Sequence, residues 1–239
     1  MLVLDRLEKR FEGKQVLRGL TLAVRPGELF GLCGANGSGK TTVMRIVLGV
    51  TTADAGEVRW NGAPMDAAAR RRIGYMPEDR GLYLKQRPLD QLVYFAMLSG
   101  VPQEEAERRA REWLEGLEVK AAANDKLEDL SLGNQQKVQL IAAVIHDPEL
   151  LILDEPFSGL DLHAVDAMVE VLRAFAAGGI PVLFSSHQLD LVERLCDRVA
   201  IIRDGAQVAV GTVAELRESL QQEGPSGWTL AEVYRELSR

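Results

Sequence analysis

Short apolar runs of strand length alternate along this chain with segments of helix length, and each of those runs ends in polar residues. This alternation is typical of a layered α/β domain, in which ligands lie beyond the carboxyl ends of the strands. The runs that predict a central sheet are 29–33, 73–76, 150–153, 182–184 and 199–202. A helix is predicted from Lys40, soon after the first run. The predicted fold class is therefore α/β.

Two segments depart from this alternation. Near the N-terminus, 3–11 and 16–24 predict short strands with turn signals after each, and we expect them to form an antiparallel β subdomain. Further along, 84–135 holds no strand candidate and predicts a helical insert. Its helices are expected over 88–98 and 103–117, the second strongly charged and amphipathic, with a third from about 133 to 146.

The chain is predicted to form one main domain, 1–211, that includes the helical insert. After it, 212–239 predicts a short tail of two helices, 212–222 and 228–238. No motif in this tail points to a chemical role.

Composition excludes several classes of protein. A formal net charge of −7 argues against a broad electrostatic grip on nucleic acid or anionic lipid, so no nucleic-acid partner is expected. The two cysteines, Cys33 and Cys196, lie in apolar runs and predict buried reduced thiols, not a disulfide framework or a zinc site. The sequence has neither a signal peptide nor a run of about 18 apolar residues, which predicts a cytoplasmic protein able to dock to a partner.

The stretch 34–41 reads Gly-Ala-Asn-Gly-Ser-Gly-Lys-Thr, a G-x-x-x-x-G-K-[ST] phosphate loop between a predicted strand and a predicted helix. Glycines let successive backbone N–H groups face the phosphates, and the helix dipole adds positive potential. Lys40 is expected between the β- and γ-phosphates of ATP, and the Thr41 hydroxyl on Mg²⁺. The residues predicted here to bind the nucleotide are Asn36, Gly37, Ser38, Gly39, Lys40, Thr41 and Thr42. The alternative is a merely flexible glycine loop.

A second element is the apolar run 150–153, which delivers Asp154 and Glu155. Adjacent carboxylates at the end of a buried strand are costly unless a cation compensates them. We therefore predict that Asp154 holds Mg²⁺ and that Glu155 is the general base for the attacking water. In isolation such a pair often just begins a turn.

The stretch 130–137, Leu-Ser-Leu-Gly-Asn-Gln-Gln-Lys, places a serine and a glycine at a predicted helix start, where a plain N-cap is the simplest interpretation. Together with the other two motifs, however, this stretch resembles the signature of ATP-binding cassette (ABC) ATPases, a phosphate-loop NTPase family. The resemblance covers residues 1 to about 220, with six motifs in the family's order.

The resemblance implies further site residues. A nucleotide bound by another copy would be contacted by Ser131, Gly133 and Asn134 of the signature and by Asp161. His187 would contact the γ-phosphate, and Phe11 would stack on adenine. For Phe11 the alternative is a core aromatic. The sequence departs from the family pattern at Leu132 and Asn134, where glycine and glutamine are commoner. It also has Glu78 where glutamine is usual, and a carboxylate can hold Mg²⁺ but cannot donate a hydrogen bond.

In this family ATP lies between the phosphate loop of one copy and the signature of another. The resemblance thus implies an ATP-dependent dimer, with ATP and Mg²⁺ as cofactors. It also implies a separate membrane-spanning permease chain that holds the subunit on the cytoplasmic face of the membrane. Leu82, Tyr83, Leu92 and Phe95 are candidates for its docking groove, with core packing as the alternative. The stretches 74–83 and 133–139 most resemble ATPase subunits of bacterial exporters.

The sequence argues against three rival functions. A soluble ABC-type ATPase of DNA repair, translation or cluster assembly usually has tandem cassettes, a long coiled coil or zinc cysteines, which the sequence lacks. A nucleotide kinase shares the phosphate loop but has no use for the signature. A degenerate, non-hydrolysing module would not need Lys40, Asp154, Glu155 and His187 together.

Overall fold

The computed structural model describes residues 1–79, 81–119, 125–220 and 229–237. The strands in these ranges are β1 (Leu2–Phe11), β2 (Lys14–Val24), β3 (Leu29–Cys33), β4 (Ala55–Trp60), β5 (Ala63–Pro64), β6 (Ile73–Met76), β7 (Leu150–Leu153), β8 (Val182–Ser186), β9 (Arg198–Arg203) and β10 (Ala206–Gly211). The helices are α1 (Lys40–Leu48), α2 (Ala67–Arg70), α3 (Pro88–Leu98), α4 (Gln103–Gly116), α5 (Leu132–Val144), α6 (Leu162–Ala177), α7 (Leu189–Leu195), α8 (Val213–Leu220) and α9 (Leu230–Leu237).

The central sheet has the strand order β10-β9-β3-β8-β7-β6, in which β10 is antiparallel and the other strands are parallel. A parallel sheet is stable only when both of its faces are covered. One face packs on α1 and the N-terminal sheet, and the other packs on α5, α6 and α7. The predicted α/β class is confirmed, and all five predicted central strands are present.

The N-terminal subdomain is an antiparallel sheet of order β2-β1-β4-β5, which confirms the expected antiparallel β subdomain. The sequence interpretation found β1 and β2 but missed β4, β5 and β10. It also missed α6 and α7, which cover the central sheet. Cys33 is buried, which raises the pKa of its thiol to about 12, whereas Cys196 is only partly buried.

The helices α3 and α4 and one side of α5 share a small apolar core, which includes Leu92, Leu114 and Ile141. The other side of α5 packs on the central sheet through Leu140 and Val144. The signature helix therefore joins the insert to the sheet, and the predicted insert boundary at 135 falls inside it. Among the described helices, none is long and apolar enough to cross a membrane.

The tail packs back onto the main domain. Leu216 of α8 and Leu230 and Val233 of α9 are buried in the core beside α7. The Glu193 carboxylate on α7 pairs with Arg217 and accepts a hydrogen bond from the Leu230 N–H at 2.8 Å. The parts of the two predicted tail helices at 221–228 and 238 lie outside the described residues.

A tight turn between β9 and β10 is hydrogen-bonded to the second half of the phosphate loop. The Gly205 N–H donates to the Ser38 carbonyl at 3.1 Å, and the Gly205 carbonyl accepts from the Arg18 N–H at 2.9 Å. Gly205 has φ +78°, and a Cβ there would lie 2.1 Å from the Val16 carbonyl, so no larger residue fits. The turn thereby joins the two sheets beside the loop.

Candidate functional site

The phosphate loop connects the end of β3 to the first residue of α1, Lys40. Gly37 and Gly39 have φ of +79° and +111°, a region that favours glycine, and a Cβ on Gly34 would lie 2.5 Å from the Ile202 carbonyl. The glycines are therefore needed for the backbone to wrap closely. A closely wrapped loop that opens a helix presents N–H groups and a positive dipole end to an anion.

Beside this loop lies a cavity of about 480 Å³. The described residues that line it are Val16, Asn36, Gly37, Gly39, Lys40, Thr41, Thr42, Glu78, Asp154 and Glu155. The phosphate loop, the ends of β6 and β7 and the start of β2 thus converge on one space. Ser38 alone among the predicted loop residues is outside the lining, with its hydroxyl buried.

Lys40 is buried at the centre of this lining. Its Nζ donates to the carbonyls of Gly34 at 2.8 Å and Ala35 at 3.2 Å, and lies 3.8 Å from Glu155 Oε1. The ammonium group is thus fixed between the loop backbone and a carboxylate. It is placed to meet a phosphate that enters along the loop.

Asp154 follows β7 and is 1% exposed. Its Oδ1 accepts a hydrogen bond from the Ser185 hydroxyl at 2.5 Å, whereas its buried Oδ2 has no hydrogen-bond partner among the residues that the structure describes. A buried carboxylate oxygen without a partner is costly, and a cation is the usual compensation. The side chain therefore fits a metal ligand.

Glu155 has a backbone φ of +49°, which residues other than glycine rarely adopt. Such strain is concentrated at functional sites. In the described ranges of the chain its Oε1 has no hydrogen-bond partner and faces Lys40, while its Oε2 lies 2.9 Å from Nδ1 of His187. One carboxylate oxygen is therefore anchored and the other is available.

His187 follows β8, and its side chain is 51% exposed. Its backbone N–H also donates to Glu155 Oε2, at 3.4 Å. The histidine expected at the γ-phosphate and the predicted general base are thus direct neighbours. The sequence separates them by 32 positions, so only the parallel pairing of β7 and β8 reveals the contact.

The oxygen donors at the cavity fit Mg²⁺. Thr41, Glu78 and Asp154 all line it, and Asp154 offers an unpartnered oxygen. Among the described residues, no group of three or more His, Cys, Asp or Glu side chains is placed to hold a metal. The Thr41 hydroxyl and nucleotide phosphates would have to complete the coordination, which suits a cation that accepts few protein ligands.

The predicted signature residues do not reach this cavity. Ser131 is the N-cap of α5, accepting from the Asn134 N–H at 3.4 Å, and Asp161 is the N-cap of α6, accepting from the Ala164 N–H at 2.9 Å. Gly133 lies in the first turn of α5. These residues are absent from the cavity lining, so any nucleotide contact they make requires another copy of the chain.

Phe11 ends β1 and is 45% exposed, so the alternative of a core aromatic is wrong. Lys9 Nζ lies 5.2 Å from the centre of its ring. Phe11 is not among the residues that line the cavity, although Val16, across the turn from it on β2, is. The adenine contact stays a prediction.

Sequence interpretation missed two residues of the site, Val16 and Ser185. Val16 was noted only as the start of a strand, and an apolar residue at a strand start carries no signal. Ser185 has a weak sequence signal, because a serine in the buried run 182–186 needs a polar partner.

The model of the family described as ABC transporter matches residues 17–158. The uncharacterized ABC transporter ATP-binding protein YhaQ of Bacillus subtilis is 44% identical over 92% of this chain and 74% of its own. The Nod factor export ATP-binding protein I of Burkholderia thailandensis is 37% identical over 90% of this chain and 72% of its own.

Two solved structures show the same fold. An ATP-binding subunit of an ABC transporter superposes with a TM-score of 0.90 at 32% identity, over the full length of both chains. The ATP-binding cassette MJ0796, solved as a dimer bound to ADP and Pi, gives a TM-score of 0.80 at 24% identity over 89% of this chain and 98% of its own.

Proposed function

This chain belongs to the ABC transporter family as an ATP-binding, ATP-hydrolysing subunit, and we propose that it powers export through a separate membrane-spanning permease. The observation that carries the proposal is the convergence of Lys40, Asp154 and Glu155 on one cavity beside the phosphate loop. The relative from Burkholderia thailandensis supports the direction, because its name specifies Nod factor export.

The phosphates of ATP bind along the loop, where backbone N–H groups and Lys40 neutralise their charge. Thr41, Asp154 and Glu78 would hold Mg²⁺, which supplies further charge neutralisation when bound. Glu155 takes the proton of the attacking water on Oε1, the oxygen that has no hydrogen-bond partner. His187 holds the other oxygen at 2.9 Å and so fixes the direction of the base.

A complete site requires two copies of the chain. Ser131, Gly133 and Asn134 lie at the start of α5, away from the cavity of their own chain. A head-to-tail pair would bring the signature of one copy onto the ATP held by the other, and hydrolysis would separate them. The proposed assembly is therefore an ATP-closed homodimer on the cytoplasmic face of the membrane.

The permease is proposed to dock in a groove of about 340 Å³ between α3, β6 and α5. Leu82 and Phe95 line it, together with Leu98, and Tyr94 and Met97 on the same helix α3 are exposed. Two of the predicted groove residues lie elsewhere. Leu92 is fully buried in the insert core because it faces α4, and Tyr83 is exposed but outside the lining.

Gln139 connects this groove with the catalytic cavity. It lines the groove, and its Nε2 donates to the carbonyls of Pro77 at 2.7 Å and Asp79 at 3.4 Å, the residues on either side of Glu78. Its buried Oε1 has no hydrogen-bond partner. An occupant that donates a hydrogen bond to this oxygen would act on the segment that carries Glu78.

The test compares Glu155→Gln with Glu149→Gln, whose carboxylate is half exposed and pairs with Arg72. Loss of the base should lower the ATPase rate by about 10²–10⁴-fold and leave ATP binding intact. Gel filtration with MgATP should then show a dimer for Glu155→Gln, while Glu149→Gln turns over at the wild-type rate. A monomer at every ATP concentration would refute the shared site, and retained hydrolysis would refute the role of Glu155.

A further inference from the structure

A single buried hydroxyl joins the two carboxylate residues of the site. Ser185 is fully buried; its hydroxyl donates to Asp154 Oδ1 at 2.5 Å, and its Oγ accepts the backbone N–H of Glu155 at 2.9 Å. The first contact holds the side chain of the proposed metal ligand. The second holds the main chain of the proposed base.

The sheet places this serine where it can make both contacts. In the parallel pair β7–β8, Leu153 lies opposite Phe184, so the next residues, Asp154 and Ser185, lie side by side at the carboxyl edge. Side chains alternate along a strand, which puts Ser185 on the same face as Leu183. That face packs on the side of α1 and is otherwise apolar.

We propose that Ser185 is a positioning residue for ATP hydrolysis, which fixes Asp154 and Glu155 relative to each other. By donating to Oδ1 it holds the carboxylate of Asp154 in one rotamer and leaves Oδ2 for the cation. By accepting the Glu155 N–H it holds that residue at φ +49°, the conformation that turns the side chain toward Lys40 and His187. The proposal rests on the proposed function only in taking Asp154 and Glu155 as the reacting carboxylates.

The neighbouring serine provides a matched control. Ser186 is also buried, but its Oγ accepts the Gln188 N–H at 3.0 Å, and within the described part of the chain it has no hydrogen bond to either carboxylate residue. Loss of either hydroxyl removes one buried hydrogen-bonding group from the same strand. Only loss of the Ser185 hydroxyl removes a hydrogen bond to Asp154 and to Glu155.

The experiment measures ATPase rate against Mg²⁺ concentration for Ser185→Ala and Ser186→Ala, with nucleotide affinity measured in EDTA. Ser185→Ala is expected to lower kcat at least tenfold and to raise the half-saturating Mg²⁺ concentration at least threefold, with affinity in EDTA changed less than twofold. Ser186→Ala should leave the half-saturating Mg²⁺ concentration unchanged. General destabilisation would reduce the active fraction but would not move that concentration.

The proposal is overturned if Ser185→Ala keeps kcat and half-saturating Mg²⁺ within twofold of wild type. Should Ser185→Ala fail to fold, Ser185→Cys keeps a weaker donor of similar size in the same place. Ser185→Cys should raise the half-saturating Mg²⁺ concentration by a smaller factor. If that concentration is unchanged in Ser185→Cys, the proposal is overturned. Failure of the proposed function would be seen separately, as ATP hydrolysis that survives Glu155→Gln. That result would not affect the half-saturating Mg²⁺ concentration, which tests the effect of Ser185 on Asp154.

Discussion

Nζ of Lys40 lies 3.8 Å from Oε1 of Glu155, and each side chain is 6% exposed. Two opposite charges are thus held together in a poorly hydrated place, where neither would be stable alone. The lysine also contacts the loop carbonyls, whereas Glu155 Oε1 has no hydrogen bond. A bound phosphate can therefore pair with the Lys40 ammonium, so that Glu155 Oε1 can accept a hydrogen bond from water.

Replacing Lys40 by Met should weaken ATP binding about 10- to 100-fold, because hydrogen bonds to charged groups contribute about 1.5–3 kcal/mol. Titration of the protein with a fluorescent ATP analogue in EDTA measures this. Lys126→Met, a change at a largely exposed lysine paired with Glu128, should bind like wild type. Equal affinities for the two variants would show that Lys40 does not contact phosphate.

Glu78→Gln should raise the half-saturating Mg²⁺ concentration of the ATPase about two- to fivefold and leave most of kcat. The effect is small because Glu78 is exposed, and exposed charge pairs contribute about 0–1 kcal/mol. The amide keeps an oxygen ligand, so turnover survives. Asp79→Asn is the matched control, since Asp79 is exposed but does not line the cavity. An unchanged Mg²⁺ requirement in Glu78→Gln would exclude Glu78 as a ligand.

Phe11→Ala should lower ATP affinity about two- to tenfold, in keeping with about 0.5–1.5 kcal/mol for an aromatic stack. Inorganic tripolyphosphate, which has no base, should bind the variant as tightly as it binds wild type. Phe11→Trp should retain ATP affinity. An equal loss for ATP and tripolyphosphate would mean that Phe11 acts on the loop, not on adenine.

His146 should make the fold less stable in mild acid. Burial lowers its pKa in the folded state below the ordinary 6.5, so below pH 6.5 the unfolded chain binds more protons. Its contribution to stability is therefore complete above 6.5 and falls as the pH drops toward the folded pKa. Thermal unfolding between pH 7.5 and 5.5 should show a smaller loss of Tm for His146→Gln than for wild type. His163→Gln, at an exposed position, should lose as much as wild type.

Much of the fold could be predicted because its signals are local. The run 29–33 is apolar throughout and ends in the glycine loop, so strand, loop and helix could be predicted together. β4 was missed because its sequence, Ala-Gly-Glu-Val-Arg-Trp, is mostly exposed and has only one buried residue, Val58. Pairing with β1, about 50 positions earlier in the chain, stabilises this strand. A contact at that separation leaves no local pattern in the sequence.

The same distinction applies to the site. Lys40, Asp154 and Glu155 could be predicted because each belongs to a motif of fixed spacing. Ser185 could not, since its role depends on which strand lies beside β7. The pairing of Glu155 with His187 likewise depends on strand order, which two sequence positions cannot encode.

The turn at Gly205 bonds directly to Ser38 and Arg18, so the phosphate loop shares main-chain hydrogen bonds with a segment about 170 positions later in the chain. Ordering of the loop by a bound nucleotide would therefore also be reported at that turn, as slowed amide deuterium uptake over residues 203–206. Those amides would serve as a remote indicator of occupancy, readable on a peptide that contains no nucleotide-contacting side chain.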